Sequence, residues 1–171
     1  RKAIASMGLG GVALAETIFA RESPMTADTN GSLQRYPSVL ALKSQSTLKE
    51  GDWAETAGFY APGDGGAAWY RIQKSSATLS PNDADILDVG RQLIAVLQEK
   101  RAVNYKMFGA PGDGDHNDGV QIKLAHEYAN RHRVPVVNLS GEFWIRQTHN
   151  IPIVTSVTWG QTIFHIDEKF N

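Results

Sequence analysis

No cysteine occurs in the 171 residues, which excludes disulfides, thiolate metal centres and a cysteine nucleophile. Neither sign of charge is in excess: 17 basic and 18 acidic side chains leave a formal net charge of −1. Nucleic acid is therefore not an expected partner, because phosphate binding needs a basic excess on one face. A run long enough to span a bilayer is missing as well. The best candidate, residues 3–15, is short and broken by glycine and serine. What is present is 42% apolar and 20% charged residues, a composition that folds rather than stays disordered. At this length the chain forms one domain, or a small domain with a tail.

The first residue is Arg1, which reads as a start inside a longer product. Arg1 and Lys2 precede the mildly apolar stretch, and small residues follow at Ala13, Ala15 and Ala20. This pattern fits an export signal over residues 1–20, twin-arginine-like with its first arginine cut off. The competing reading is an amphipathic helix at a domain edge. Residues 21–35 hold Ser23, Pro24, Thr26, Asp28, Asn30 and Gly31 and read as a polar linker.

A small β-domain is expected over residues 36–102. Trp53-Ala54-Glu55-Thr56-Ala57 reads as a strand after the turn at Gly51-Asp52. The cluster Ala61-Pro62-Gly63-Asp64-Gly65-Gly66 reverses the chain, since proline fixes φ and glycine accepts positive φ. Ala68 to Ile72, rich in aromatic and branched residues, returns as the second arm of a hairpin. A second hairpin is read around Gly90-Arg91. A helix over residues 92–101 competes with it, because Leu93, Val96, Leu97 and Lys100 also share a helical face.

Residues 104–108 read as another short strand, ending at Gly109. One helix is then clear: Ile122, Ala125 and Ala129 recur at helical spacing, joined by Leu124 and Tyr128. Asp118 is the expected N-cap, with Gln121 closing a capping box, and Pro135 bars continuation. Short strands follow: Val134 to Leu139, a turn at Ser140-Gly141, Glu142 to Ile145, Ile151 to Val154, and Thr162 to Ile166. Short, closely spaced strands after a single helix are the pattern of a β-solenoid's first coils.

The run from Val103 through Phe108-Gly109-Ala110-Pro111-Gly112-Asp113-Gly114 resembles the entry motif of the pectate-lyase-like superfamily. In that family the motif leads through T-D-D-T into a short helix, and only Asp118 keeps that pattern here. The stretch from Val136 to Gly141, Phe143 and Ile145 resembles the strand, turn and aromatic-x-Ile strand that follow, with Leu139 in place of proline and Phe143 in place of tyrosine. Upstream, Gly51-Asp52 to Ile72 is similar to the small β-domain preceding this motif in phage tailspikes. The resemblance covers residues 36–171. It implies a mainly β fold: the start of a right-handed parallel β-helix over residues 103–171, with an N-terminal capping α-helix, preceded by a small β-hairpin domain. It also implies a polysaccharide partner, an exported location in the periplasm or outside the cell, and a homotrimer in tailspike-like cases. After removal of the signal no membrane span is expected.

Asp113, Asp115, Asn117 and Asp118 form an acidic cluster that suits calcium, but turn and cap chemistry accounts for all four. No cofactor and no metal site is expected. The five histidines, His116, His126, His132, His149 and His165, make no zinc motif. Ser140 lies in no nucleophile elbow. Trp53, Trp69, Trp144 and Trp159 are able to stack on sugar rings or to pack in a core. Trp159 and Trp144 are the carbohydrate-binding candidates, Trp159 because it adjoins Gly160. No catalytic residue is nominated, since glycoside cleavage needs a carboxylate pair and the family's lyases carry their working groups on later coils. Two functions follow: an exported polysaccharide lyase or glycoside hydrolase with its active site downstream, or a non-enzymatic attachment module of tailspike or adhesin type.

Overall fold

Antiparallel pairing is confined to the first of the two sheets in the described chain, and the second sheet is wholly parallel. A computed structural model describes residues 31–146 and 150–167. The signal expected over residues 1–20 and the linker up to residue 30 lie outside the described residues. The first sheet has the order β1-β2-β3-β5-β4, built from β1 (Leu33–Tyr36), β2 (Trp53–Thr56), β3 (Ala68–Lys74), β4 (Ile86–Asp88) and β5 (Leu93–Leu97). β2 pairs antiparallel with β3, β3 with β5, and β4 with β5. In β3, Ala68, Tyr70 and Ile72 point inward while Trp69, Arg71 and Gln73 point out, the alternation a half-buried strand requires. Of the two readings of residues 92–101, strand holds: Gly90 takes φ +78° at the turn and both arms pair.

Two elements here were not read from the sequence. β1 falls in the stretch read as linker and pairs parallel with β2. Its residues Leu-Gln-Arg-Tyr bury only Tyr36, so no apolar alternation marked it. A one-turn helix, α1 (Val39–Lys43), is capped by the Ser38 side chain and tucks Val39 and Leu42 into the core.

The second sheet is parallel, in the order β6-β7-β8, with β6 (Asp113–Asn117), β7 (Val136–Ile145) and β8 (Val157–Ile166). β7 and β8 run in constant register from Val136 opposite Val157 to Ile145 opposite Ile166. Val103 bridges to Val136, so Val103, Val136 and Val157 stack in one column. Each return of the chain lays the next strand beside the last in the same direction, which is how a solenoid coils.

Four local expectations are corrected. Residues 105–108 form a 3₁₀ turn (Tyr105–Phe108), not a strand: Tyr105 and Phe108 both bury, and three residues per turn put them on one side where a strand would oppose them. The Asn104 side chain accepts the Met107 N–H (2.9 Å) to start that turn. Ser140-Gly141 makes no turn; β7 runs straight through, with Gly141 at φ +136°. Residues 151–154 form no strand, because Pro152 lacks a donor and Asn130 of α2 (Gly119–His132) takes up the backbone instead. Asn130 donates to Pro152 O (2.7 Å) and accepts from Val154 N–H (3.2 Å). The capping box is absent as well: Asp118 makes no side-chain cap bond and Gln121 Oε1 finds no partner. Asp118 has αR backbone (φ −95°, ψ −3°), and its carboxylate accepts instead from Gly112 N–H (3.2 Å) and Trp144 N–H (2.9 Å).

One buried cluster joins both sheets, from Tyr36 and Tyr70 to Tyr128, Val136 and Phe143. α2 contributes Ile122, Ala125, His126, Tyr128 and Ala129. The Tyr128 hydroxyl donates to Glu99 O (2.9 Å), and Arg131 pairs with buried Asp85 (2.7 Å), tying α2 to the first sheet. Toward the parallel sheet, a column runs from His126 through Tyr105 and Phe143 to Phe164, with ring centroids 5.6, 5.1 and 5.8 Å apart in turn.

Candidate functional site

Gly141 decides which side chains of the parallel sheet reach solvent. Before it, Val136 and Asn138 point inward; after it, Phe143 does. Positive φ lets the strand skip one residue of alternation without turning. A Cβ at Gly141 would meet the Phe143 ring at 2.8 Å. The skip is matched on β8, where Trp159 lies opposite Asn138 and Phe164 opposite Phe143. Glu142, Trp144 and His165 therefore share the outward face.

On that face β6, β7 and β8 bring together groups far apart in sequence. Asp113 aligns with Glu142, and Trp144 with His165. The Glu142 carboxylate meets His165 Nε2 at 2.5 Å. Asp113 meets His116 Nδ1 at 2.8 Å and also accepts the N–H groups of Asp115 and His116 (3.0 and 3.1 Å). Those three donors hold the Asp113 carboxyl down at about 2, and the carboxylate in turn raises the His116 imidazole above its ordinary value. The Arg146 guanidinium sits 3.8 Å from the Trp144 ring centroid and covers one face of the indole. The His165 ring lies 6.0 Å from Trp144. The result is an aromatic and polar ridge in which each of Asp113 and Glu142 is already paired with a histidine.

Trp159 and Trp144 are not brought together. Trp159 stands on the inward column, edge-on to Phe164 at 5.4 Å, and its 53% exposure arises because β8 is the edge of the described sheet. Trp144 points outward beside His165.

Most side-chain oxygens of the acidic cluster are engaged within the protein, and Asp115 alone keeps a largely exposed carboxylate. Asp113 is engaged as above, and Asp118 is fully buried on two amides, with its carboxyl raised by that burial. Asn117 Oδ1 accepts from Gly119 and Arg146 N–H, and Asp115 lies 3.9 Å from Arg146. Among the described residues, no group of three His, Asp or Glu is placed to hold a metal ion. His126 is buried with Nε2 on the Tyr105 hydroxyl (3.0 Å), and His132 stacks on Tyr128 at 4.1 Å.

No family model matches the chain, and no curated protein matches it in sequence. Solved structures do match. A glycan biofilm modifying enzyme of Pantoea stewartii, with a bacteriophage tailspike-like parallel β-helix fold, superposes with a TM-score of 0.52 at 18% identity, over 69% of this chain and 17% of that one. The tailspike protein of Acinetobacter baumannii bacteriophage Fri1, a capsular polysaccharide depolymerase, superposes with a TM-score of 0.51 at 17% identity, over 70% of this chain and 23% of that one. The fold is a tailspike-like parallel β-helix. This β-helix chain spans less than a quarter of the length of either protein. Among the described residues, no helix is long and apolar enough to cross a membrane.

Glu142, Arg146, His116 and His165 were not singled out from the sequence as site residues. Glu142 meets His165 through parallel register and the skip at Gly141, neither of which leaves a local pattern, whereas His116 and Arg146 lie within three residues of Asp113 and Trp144. Equal spacing from Phe143-Trp144-Ile145 to Phe164-His165-Ile166 is the one signal that was there to be used.

Proposed function

We propose that this chain is the N-terminal portion of an exported, carbohydrate-active β-helix protein, a polysaccharide lyase or glycoside hydrolase whose cleaving groove lies on later coils. The observation that carries the reading is the in-register parallel stacking of β7 on β8 in a tailspike-like fold. The two proteins it superposes on act on a biofilm glycan and on a capsular polysaccharide. In this reading residues 36–102 form a small β-hairpin domain and residues 103–171 the cap and first coils. α2 serves as the capping helix: its His126 meets the end of the inward aromatic column, shielding apolar interior that an open coil leaves to water. Residues 1–20 are the export signal, and the site of action is the periplasm or the cell exterior.

The ridge around Trp144 supports a contact surface for glycan rather than a cleaving site. Both carboxylates are tied to histidines, whereas glycoside hydrolysis needs one carboxyl to give a proton and a second to attack or to activate water. The second reading, a non-enzymatic attachment module of tailspike or adhesin type with a homotrimer as its assembly, is supported by the separate β-sheet that precedes the parallel one.

The full-length product, assayed on capsular polysaccharide, polygalacturonate and β-glucans, separates the two. Depolymerisation with new reducing ends or unsaturated ends supports the enzyme; binding without cleavage, together with trimeric mass by light scattering, supports the module. Neither binding nor cleavage across that panel would overturn both. Replacing Trp144 by alanine is expected to weaken glycan binding by the chain about tenfold, the factor that ~1.4 kcal/mol of contact corresponds to. Titration calorimetry on the folded variant checks it.

A further inference from the structure

The outward face of the antiparallel sheet carries a second concave surface, remote in sequence from the Trp144 ridge. Its volume is about 630 Å³, and Trp53, Glu55, Trp69, Gln98, Glu99 and Arg101 are among the residues that line it. Strand register explains why these residues meet. Trp53 lies opposite Arg71, and Glu55 opposite Trp69 and Arg35. Ala54, Thr56, Ala68 and Tyr70 bury on the other face, so both tryptophans are turned outward by the alternation of two strands.

The surface is held in place by its own bonds. Trp69 N–H donates to Glu99 Oε1 (3.3 Å), and Gln98 N–H donates to Trp69 O (2.8 Å). Glu99 is anchored through its carbonyl by the Tyr128 hydroxyl, and Arg71 sits 5.1 Å from the Trp53 ring centroid. Glu55 is paired with Arg35 at 2.6 Å. Trp69 remains 38% exposed on the outward face of β3.

We infer that this cleft is a binding site for a neutral glycan, taking one or a few pyranose units, and separate from any cleaving groove. The inference rests on the carbohydrate reading above and extends it to a new surface. Three features select that ligand. A flat indole face on a rigid strand matches the C–H face of a pyranose. Around it stand carboxylate, amide and guanidinium groups, which bond vicinal hydroxyls as acceptors and donors. Among the lining residues the charges balance, Glu55 and Glu99 against Lys100 and Arg101, so the lining carries no net charge to draw a polyanion and an uncharged, hydroxyl-rich chain fits it.

The test uses the chain itself, with cellohexaose and mannohexaose as neutral probes and a polygalacturonate oligomer as the anionic one. Tryptophan fluorescence and titration calorimetry read binding. A neutral probe is expected to bind and Trp69→Ala to weaken it about tenfold or more. Trp69→Phe, which keeps a ring, is expected to retain most of the affinity. Circular dichroism and the melting transition confirm that each variant is folded. If Trp69→Ala unfolds the chain, Glu55→Gln and Gln98→Ala at the rim are expected to lower affinity severalfold in its place. Binding of the anionic probe alone overturns the inference. So does absence of binding by either neutral probe, or a drop in molecular mass on Trp69→Ala, which would mark the cleft as an interface between copies. Failure here is distinguishable from failure of the carbohydrate reading. A full-length protein that cleaves glycan while the cleft binds none refutes only the cleft, whereas a cleft that binds within a full-length protein inert on all glycans refutes only the cleaving groove.

Discussion

The two sheets of this chain solve the same problem in different ways. In the antiparallel sheet, β2–β3 and β4–β5 are partners close in sequence, and turn residues set the register. In the parallel sheet, β7 and β8 are stacked by a return of the chain, and register is held by what is inside: Val103, Val136 and Val157 in one column, Tyr105, Phe143 and Phe164 in another. Parallel pairs cannot be closed by a tight turn, so their specificity has to come from packing and from a few buried polar clamps. The parallel sheet should thus be more sensitive to loss of one interior side chain, and the antiparallel sheet more tolerant.

The largest expected effect is at Phe143, which is fully buried between Tyr105 and Phe164. Phe143→Ala removes the middle of the column, and large-to-small changes of this kind cost about 3–5 kcal/mol. Urea denaturation of the chain measures it. A loss under about 1 kcal/mol would mean the column does not hold the coils together.

Next is Asp118→Ala. It strips the acceptor from the Gly112 and Trp144 amides at a fully buried position and is expected to cost about 1–3 kcal/mol. Asp118→Asn keeps an acceptor and should lose less. Equal losses for the two variants would show that the amides find other partners.

What was legible in the sequence follows the same division. The hairpin arms around the loop at Pro62 and around Gly90 were readable, because turn residues and alternating side chains sit next to one another. The helix with Ile122, Ala125 and Ala129 was readable from its spacing. The parallel coils were reached through a resemblance in the run from Val103 to Gly114, not through periodicity. Where local signals misled, tertiary partners had replaced local ones. Asp118 looked like a cap but serves Trp144, which is distant in sequence. Asn104 to Phe108 looked like a strand because Tyr and Phe favour one, but burial of both rings on one side selected a 3₁₀ turn. Ser140-Gly141 looked like a turn, yet the glycine serves to switch the outward face from Asn138's neighbours to Glu142 and Trp144. The ridge itself was half legible: Trp144 was singled out, while the meeting of Glu142 and His165 depends on the register of β7 against β8.

A smaller effect should appear in the pH dependence of the parallel half. Burial pushes the His126 imidazole below its ordinary 6.5, its Nε2 is on the Tyr105 hydroxyl, and its Nδ1 has no partner. Its pKa is lowered in the folded state, so the unfolded chain takes up the proton first as pH falls. Stability is therefore lost from about pH 6.5 downward until the folded-state imidazole also titrates. His126→Gln is expected to flatten the slope of unfolding free energy between about pH 7 and 5. Asp118, raised by burial, acts in the opposite direction at lower pH and should keep its contribution in that variant. An unchanged slope would show that another group sets it.

The smallest effect is expected in the antiparallel sheet, at Tyr70. Its ring is fully buried between β2 and β5, and its hydroxyl has no hydrogen-bond partner. Burial drives that phenol's pKa up, so it remains a neutral and unbonded O–H at every ordinary pH. An unpaired buried hydroxyl opposes folding, so Tyr70→Phe, which keeps the ring and deletes the oxygen, should be neutral or stabilising by up to about 1 kcal/mol. Paired with Phe143→Ala in the same denaturation series, it tests the contrast directly: one sheet loses most of its margin with an interior ring, while the other gives up an interior polar atom without loss. A destabilisation of about 2 kcal/mol or more would mean the hydroxyl is bonded after all. The antiparallel sheet would then depend on a hidden polar link, as the parallel sheet depends on Asp118.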